Sequence, residues 1–361
     1  MSPSPAGLEL RPLPFPVSVD APDACDFLEM VRVRNEVYRE INGHDDESVE
    51  PAELLPMLRR QDYEIQLFWI VILDDEVVGR VAVDLPREEG SRVAFWRIEL
   101  LRRVWSRGIG TAAYDLVEAT TREHGRTVLQ SWAAHPDAPG PRLEPPTGFG
   151  NIPVDHAARF YLARGYSLEQ IERNSALDLT PRVLAHVREQ LVEAERAAVD
   201  YRVVQWFLPT PPEFVPGYAW MKSRMVTDAP AAGMEFDEET WDAARLADHE
   251  RPYLESGRTL QVTAALHVPT GELAAFNELA VGRDRAQATY QEDTLVLKEH
   301  RGHRLGMLVK CAGLLSWADV APASPRVLTY NAEENRPMLD INERIGFVPI
   351  AYNGAWKKVL S

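Results

Sequence analysis

The most chemically informative residues form two turns rich in glycine and arginine, each between an apolar run and a helix-forming segment. The clearer turn reads Arg-Gly-His-Arg-Leu-Gly at residues 301–306, and a weaker copy lies at residues 103–110. Unpaired backbone N–H groups in such a turn point at an anion, and the positive end of the helix strengthens the attraction. Neither turn has the Lys-Ser/Thr pair of a P-loop. We interpret both turns as cradles for a pyrophosphate.

The elements before the two turns are duplicated. Residues 66–85 and 260–281 each consist of two apolar, β-branched runs separated by a short polar turn, which predicts a β-hairpin in both places. The second strand of each hairpin starts 34 residues before the last glycine of the turn that follows it. The two pairs are Glu76 with Gly110 and Glu272 with Gly306. Equal spacing in both halves indicates an internal repeat.

The elements after the turns are duplicated as well. Each copy continues with a helix, a strand and a second helix that ends in glycine and an aromatic residue, at residues 165–166 and 346–347. A Pro/Gly-rich stretch at residues 134–150 accounts for the greater length of the first copy. Residues 181–199 have apolar positions at helical spacing and predict a linker helix. We therefore expect domains at residues 1–180 and 200–361.

Composition and charge exclude several classes of function. The chain has 361 residues and a net charge of −16, which argues against nucleic acid or an anionic membrane as a partner and favours a cationic or neutral substrate. No apolar run approaches the ~18 residues that a membrane-spanning helix needs, and we see no signal peptide. The two cysteines, Cys25 and Cys311, are far apart, so the reducing cytoplasm is the expected location. The nine histidines show no zinc-ligand spacing, and no metal is expected.

The order of these elements resembles the GNAT superfamily of acyl-CoA N-acyltransferases, present twice in the chain. The family turn reads Gln/Arg-x-x-Gly-x-Gly/Ala. The second copy fits it at Arg301 and at the last glycine, but has Arg304 in place of the middle glycine. The first copy fits it at Gly108 and Gly110, but has Trp105 in place of the Gln/Arg.

The closing helices extend this resemblance to nearly the whole chain. Residues 160–166 fit the family pattern Phe-Tyr-x-x-x-Gly-Phe, and residues 335–347 fit its variant with Asn at the tyrosine position. The layout is similar to the tandem, mycothiol synthase-like proteins of actinobacteria. The resemblance implies an α/β fold of the α+β type with a mixed sheet. It further implies two tandem GNAT domains, each a mostly antiparallel central sheet flanked by helices.

The resemblance also implies a donor site in each copy, for acetyl-CoA or another acyl-CoA and without a metal. Backbone N–H groups of the turn would bind the pyrophosphate, and a free N–H on the preceding strand would hold the thioester carbonyl. The expected donor-binding residues are Leu100, Arg103, Arg107, Gly108 and Gly110 in the first copy, and Val296, Arg301, Gly302, Arg304 and Gly306 in the second.

Proton transfer would need further side chains. Tyr161 lies where many family members have the tyrosine that protonates the leaving thiolate, whereas the second copy has Asn342 there, which can hydrogen-bond the donor but cannot act as an acid. Candidate bases are Glu99 in the first copy and Glu292 or Asp293 in the second. We expect such a carboxylate to have a raised pKa in an apolar cleft. The sequence leaves open which copy is catalytic.

The expected reaction is transfer of an acyl group, most simply acetyl, from the thioester of coenzyme A to the amine of a small molecule, by direct attack in a ternary complex. Two alternatives stay open. The first is an amide-forming enzyme of natural-product biosynthesis that takes the acyl group from an acyl carrier protein. The second is a sensor that binds acyl-CoA without turnover. Neither nucleic acid nor a membrane is an expected partner.

Overall fold

The structure is a computed structural model that describes residues 5–361. The chain divides into two compact units. Unit 1 contains the chain up to Ile171 together with Ala231–Asp237 and Ala351–Ser361. Unit 2 contains Glu172–Pro230 and Glu238–Ile350. Two short stretches from the second half of the chain thus belong to unit 1, so the division differs from the predicted boundaries.

The elements follow the predicted order in both halves. The first half contains β1 (Leu8–Pro12), α1 (Cys25–Asn42), α2 (Pro51–Arg59), β2 (Glu64–Leu73), β3 (Glu76–Pro86), β4 (Val93–Leu100), α3 (Ile109–Glu123), β5 (Val128–Ala134), β6 (Arg142–Leu143), β7 (Ile152–Pro153), α4 (His156–Leu162) and β8 (Ser167–Asp178). The second half contains α5 (Pro181–Ala197), β9 (Tyr201–Phe207), α6 (Val215–Asp228), α7 (Ala243–Ser256), β10 (Thr259–His267), β11 (Glu272–Val281), β12 (Thr289–Val296), α8 (Leu305–Val320), β13 (Arg326–Ala332), α9 (Arg336–Ile345) and β14 (Val348–Val359).

The sheet of unit 1 has the strand order β1-β2-β3-β4-β5-β14. Its neighbouring strands are antiparallel except β4 and β5, which run parallel. The strand beside β5 is the C-terminal end of the chain, where residues 353–359 pair with residues 128–134. This exchange explains why Ala351–Ser361 belongs to unit 1 rather than to the repeat in which it lies.

The segment Ala231–Asp237 is fixed to unit 1 by hydrogen bonds to a buried side chain. The amide of Gln130 donates from Nε2 to the carbonyl of Glu235 at 2.7 Å and accepts at Oε1 from the N–H of Glu235 at 2.6 Å. Arg92 forms two hydrogen bonds of 2.9 Å with the Glu235 carboxylate. Phe236 stacks on Phe95 with ring centroids 6.0 Å apart.

The sheet of unit 2 has the order β13-β12-β11-β10-β9, and residues 172–178 of β8 pair with β13 at its edge. All these neighbours are antiparallel except β12 and β13, which run parallel. Unit 2 therefore repeats the arrangement of unit 1, with a parallel pair between antiparallel strands.

Each sheet is covered by helices on both faces because its strands are apolar on both sides. In unit 1, Val81 and Val83 of β3 pack in the core cluster that contains α3 and α4, whereas Ala82 packs in the cluster of α1 and α2. In unit 2, Ala275 packs in the cluster of α5, α8 and α9, and Phe276 packs in the cluster of α6 and α7. This alternation follows from the two-residue period of a strand.

The predicted linker helix is part of the core of unit 2. The helix α5 begins after Thr180, whose side chain accepts a hydrogen bond from the N–H of Val183 at 3.2 Å, and Pro181 occupies its first turn. Val187 and Ala194 are fully buried against α8. The segment is therefore not a free linker, because its apolar stripe is needed to cover the sheet of unit 2.

Candidate functional site

An opening in the sheet of unit 1 lies where the two parallel strands diverge. The pairing of β4 with β5 covers residues 93–95 and 128–130, whereas β4 remains paired with β3 as far as Leu100. The N–H of Leu101 donates to the carbonyl of Val78 on β3 at 3.0 Å. Since successive N–H groups of a strand point to opposite edges, the N–H of Leu100 faces β5 and the opening.

Unit 2 has the same opening between β12 and β13. Their pairing covers Thr289 and Tyr290 with residues 327–328, whereas β12 stays paired with β11 as far as Val296. The N–H of Leu297 donates to the carbonyl of Ala274 at 3.0 Å, so the N–H of Val296 faces the opening. The two residues expected to hold a thioester carbonyl thus occupy equivalent places.

The turn after β4 exposes a row of backbone N–H groups. Ser106 and Gly108 have φ of 58° and 83°, which turns consecutive N–H groups to the outside before α3 begins at Ile109. Within residues 5–361, no hydrogen-bond acceptor faces the N–H groups of residues 106–110. Arg103 is paired with Glu76, whereas Arg107 is exposed and has no ion pair among the described residues.

The turn after β12 has the same geometry with more charge around it. Gly302 and Arg304 have φ of 90° and 55°, and the N–H groups of residues 302–306 have no acceptor in the part of the chain that the structure describes. Arg304 pairs with Glu193 at 3.2 Å. Arg301 lies 3.7 Å from the buried carboxylate of Asp228. Both arginines are about half exposed, so their outer N–H groups remain accessible.

The residue at the Gln/Arg position of the family motif hydrogen-bonds to the end of the preceding strand in both units. Trp105 donates from its indole N–H to the carbonyl of Leu100 at 2.8 Å, and Arg301 donates from Nε to the carbonyl of Val296 at 3.3 Å. Trp105 also stacks on His156, with ring centroids 4.7 Å apart. The tryptophan that departs from the family pattern therefore keeps the structural task of the arginine but not its charge.

Tyr161 lies under the opening of unit 1 on the face that carries α3 and α4. Its ring is buried and stacks on Trp356 at 4.8 Å, and its hydroxyl lies 2.8 Å from the hydroxyl of Ser131 on β5. Burial raises the pKa of Tyr161, and the hydrogen bond with Ser131 offsets only part of this. The phenol is therefore protonated at neutral pH.

Glu99 lies on the opposite face of the same sheet and contradicts the expectation of a raised pKa. Burial raises its pKa, but the charge and hydrogen bonds of Arg80 outweigh this effect and bring the pKa to about 2. Arg80 donates to Glu99 from both Nε and Nη2, the latter at 3.1 Å, and Tyr38 donates to it at 3.1 Å. The buried guanidinium stabilises the carboxylate form, so Glu99 is ionised and paired.

The candidate bases of unit 2 lie at a β-bulge. Two residues of β12, Glu292 and Asp293, lie opposite the single Glu278 of β11. Partial desolvation raises the pKa of Glu292, whose side chain is about 35% exposed, and the charge of Arg258, 3.9 Å away, reverses only part of this. Glu292 thus has the raised pKa that the sequence predicts for a base.

A buried cluster that the sequence does not reveal lies next to this bulge. Lys222 of α6 pairs with Glu278 and with Asp293, both at 2.7 Å, and Tyr218 donates a hydrogen bond to Glu278. Burial raises the pKa of Glu278 to about 7, and the charge of Lys222 opposes this. The signal in the sequence is the polar pair Asn277 and Glu278 between apolar residues of β11.

Asn342 occupies in unit 2 the helix position that Tyr161 occupies in unit 1. It is buried, accepts a hydrogen bond from Lys310 at 2.7 Å, and donates one to Asn331 at 2.7 Å. Lys310 is fully buried on α8 and was not singled out in the sequence. It lies within a helix of apolar residues, so the helical pattern predicts a core position there rather than a charge.

An α/β sheet whose parallel pair diverges beside a turn of unpaired N–H groups defines the GNAT class of folds. Residues 30–140, which lie in unit 1, match the model of the Acetyltransferase (GNAT) family. No curated protein sequence matches the chain.

Solved structures extend the likeness to the whole chain. A tandem GNAT protein from the clavulanic acid biosynthesis pathway is 24% identical, and the match covers 98% of both chains with a TM-score of 0.71. A GCN5-related N-acetyltransferase from Sphaerobacter thermophilus is 15% identical, covering 98% of this chain and 96% of that one with a TM-score of 0.63. The family model thus matches residues 30–140, and the whole chain has the tandem GNAT fold, which confirms the predicted resemblance and fold class.

No helix in residues 5–361 is both long enough and apolar enough to cross a membrane.

Proposed function

We propose that the protein is an N-acyltransferase that moves an acyl group, most simply acetyl, from coenzyme A to an amine of a small molecule. The observation that carries this proposal is the pairing, in each unit, of a strand N–H that faces the sheet opening with a turn of unpaired N–H groups. An acyl-CoA needs both features. Its pyrophosphate is anionic and binds the turn, and its thioester carbonyl becomes anionic during the reaction and binds the strand N–H.

The donor-binding residues then have distinct tasks. The N–H groups of residues 302–306 and the side chains of Arg301 and Arg304 bind the pyrophosphate in unit 2. Residues 106–110 do the same in unit 1, with Arg103 and Arg107 nearby. The N–H groups of Leu100 and Val296 hold the thioester carbonyl and the oxyanion that forms when the amine attacks. We expect unit 2 to hold the donor more tightly, because its turn has more basic side chains.

The proton transfers are assigned to opposite faces of the sheet. In unit 1, Tyr161 protonates the leaving thiolate, and Glu99 takes no proton, since a carboxylate with a pKa of about 2 that is already paired with Arg80 is a weak base. In unit 2, Glu292 takes the proton of the acceptor amine, and Asn342 replaces the tyrosine. The net charge of −16 favours a cationic acceptor in either unit.

A carrier-protein thioester is the second candidate donor, and one observation favours it in unit 1. Trp105 replaces a charged residue of the turn there, and Arg103 is neutralised by Glu76. A carrier-bound phosphopantetheine lacks the adenosine diphosphate of coenzyme A and needs less charge at this place. We place the reaction in the cytoplasm, consistent with the unpaired Cys25 and Cys311.

Two measurements test the proposal. The first is calorimetric titration of coenzyme A into the wild type and into Arg301→Glu and Arg107→Glu, which alter exposed side chains of the two turns. We expect about a tenfold or greater loss of affinity for Arg301→Glu, the size of one charge-assisted hydrogen bond, and little change for Arg107→Glu. The reverse result would move the donor to unit 1.

The second measurement is release of free thiol from acetyl-CoA across a panel of small amines. Release that depends on an amine supports the enzyme. Binding of coenzyme A without release from any amine would refute the enzyme and favour the acyl-CoA sensor. Release only from an acyl carrier protein would identify the alternative donor.

A further inference from the structure

Lys310 is a basic side chain in the core of unit 2. It is fully buried on α8, four residues after Gly306, and no carboxylate pairs with it within residues 5–361. Its one hydrogen-bond partner among those residues is the side-chain oxygen of Asn342, at 2.7 Å. A buried charge is costly unless it is paired, so the ammonium form of this lysine needs an anion that binds nearby.

The hydrogen bonds of Lys310 have a fixed direction. An ammonium only donates, so Oδ1 of Asn342 faces Lys310 and Nδ2 faces away from it. That Nδ2 donates to Oδ1 of Asn331 at 2.7 Å, which leaves the N–H groups of Asn331 to point onward. Asn331 is only half-buried, and no acceptor for its N–H groups is present in the described chain. Three side chains thus form a chain of donors that starts at a cation and ends at an accessible amide.

The accessible end of this chain lies at the opening of unit 2. Asn331 is on β13, three residues beyond Leu328, the last residue of β13 paired with β12. The N–H of Val296 faces the same opening from β12. Unit 1 has no such chain, because Tyr114, Tyr161 and Ala133 occupy the positions equivalent to Lys310, Asn342 and Asn331.

We propose that Lys310, Asn342 and Asn331 form a thiolate-binding device in unit 2, in which the amide of Asn331 contacts the donor sulfur. Lys310 and Asn342 are positioning residues that orient and polarise this amide. The device replaces the proton-donating tyrosine of unit 1. The inference rests on the proposed donor site, but not on turnover in unit 2.

The chemistry balances without a proton from these side chains. The amine nitrogen forms a bond to the thioester carbon, the carbon–sulfur bond breaks, and its electron pair stays on sulfur. The proton lost by the nitrogen goes to the acceptor-side base or to solvent. The sulfur leaves as a thiolate, held by N–H groups whose polarity is increased by the ammonium behind them.

The protonation state of Lys310 is coupled to an anion at Asn331. Burial lowers the pKa of Lys310 to about 7, and the neighbouring Cys311, whose own pKa burial raises, opposes this only weakly. From the neighbouring elements, Asn342 of α9 hydrogen-bonds to Lys310, and Asn331 of β13 hydrogen-bonds to Asn342. Both side chains are uncharged. An anion at Asn331 raises the pKa of Lys310 again, so thiolate and ammonium stabilise each other.

The test compares coenzyme A with desulfo-coenzyme A, which has the same pyrophosphate but no sulfur. Affinities are measured by calorimetry in an Arg107→Glu background, which weakens the cradle of unit 1, for the wild-type chain, Lys310→Met and Asn331→Ala. We expect each variant to lose about tenfold in affinity for coenzyme A at pH 8 and to bind desulfo-coenzyme A as before. Asn331 is half-buried at the end of its strand, so this second variant removes little packing, although Nδ2 of Asn342 loses its acceptor.

The ultraviolet absorbance of the bound thiolate gives an independent readout. We expect the pKa of the bound coenzyme A thiol to rise by about one unit in Lys310→Met, which corresponds to the tenfold change. Equal loss for both ligands, or no loss for either, would overturn the inference. So would a bound thiol whose pKa is the same in all variants. Sulfur-dependent binding without amine-dependent release would leave this inference intact while refuting the proposed enzyme.

Discussion

Replacing Lys310 by methionine is expected to stabilise the protein at neutral pH. The lysine is fully buried, and no carboxylate in the described chain pairs with it. Methionine fills a similar volume and carries no charge that must be dehydrated. The gain is opposed by the loss of one hydrogen bond to Asn342, which costs about 1–3 kcal/mol at every pH.

The pH dependence follows from the shifted pKa. Lys310 has a pKa of about 7 in the folded chain, against the ordinary lysine value of 10.5. That difference, at about 1.4 kcal/mol for each pH unit, corresponds to about 5 kcal/mol of destabilisation. It is fully present below pH 7, where the folded chain must bury the ammonium. It disappears as pH rises toward 10.5, because the unfolded lysine then also loses its proton.

The assay is urea denaturation of the wild type and Lys310→Met from pH 6 to pH 10, followed by tryptophan fluorescence. We expect the wild type to gain stability relative to the variant as pH rises from 7. The matched control is Lys222→Met, since Lys222 is equally buried but pairs with Glu278 and Asp293. That control should be destabilised, because two carboxylates lose their counter-charge. A difference between wild type and Lys310→Met that does not change with pH would refute the reasoning.

Three further predictions concern unit 1. Glu99→Gln leaves Arg80 buried without its counter-charge and should cost about 3–5 kcal/mol in urea denaturation; an unchanged midpoint would contradict the pairing. Gly79→Ala places a Cβ 2.4 Å from the carbonyl oxygen of Glu99 and should lower the melting temperature, whereas Gly217→Ala, with its nearest atom at 3.4 Å, should not. Tyr161→Phe should slow thiol release by about 100-fold without weakening donor binding, and an unchanged rate would assign the chemistry to unit 2.

The elements were predictable because each has a strong local signal. The strands alternate or run apolar, the turns at residues 103–110 and 301–306 contain glycine, and Thr180 and Asp242 cap helices with their side chains. The repetition of one order of elements then indicated the tandem GNAT fold. The resemblance to the GNAT superfamily also implied the places of Leu100 and Val296 on the strands before the turns.

The charges around the candidate sites were less predictable. The sequence identifies Glu99 as a carboxylate on a strand but not the buried Arg80 that pairs with it, so the direction of its pKa was wrong. Glu278 and Lys222 lie 56 residues apart and meet only because α6 packs on β11. The pKa of a side chain depends on the charged groups of neighbouring strands and helices, and local sequence patterns do not identify those groups.

The sequence by itself determined the two turns and the repeated order of elements, since these depend on backbone conformation and on apolar periods along the chain, and the family resemblance implied the free strand N–H groups. Tertiary structure alone decided that residues 351–361 and 231–237 belong to unit 1. The first segment pairs as a strand with β5, and the second is held by hydrogen bonds to Gln130. It alone decided that Lys310, Asn342 and Asn331 form one chain of donors. Packing brings Lys310 and Asn342 together in the core, where each must find a partner, and Asn331 lies at the edge of that core.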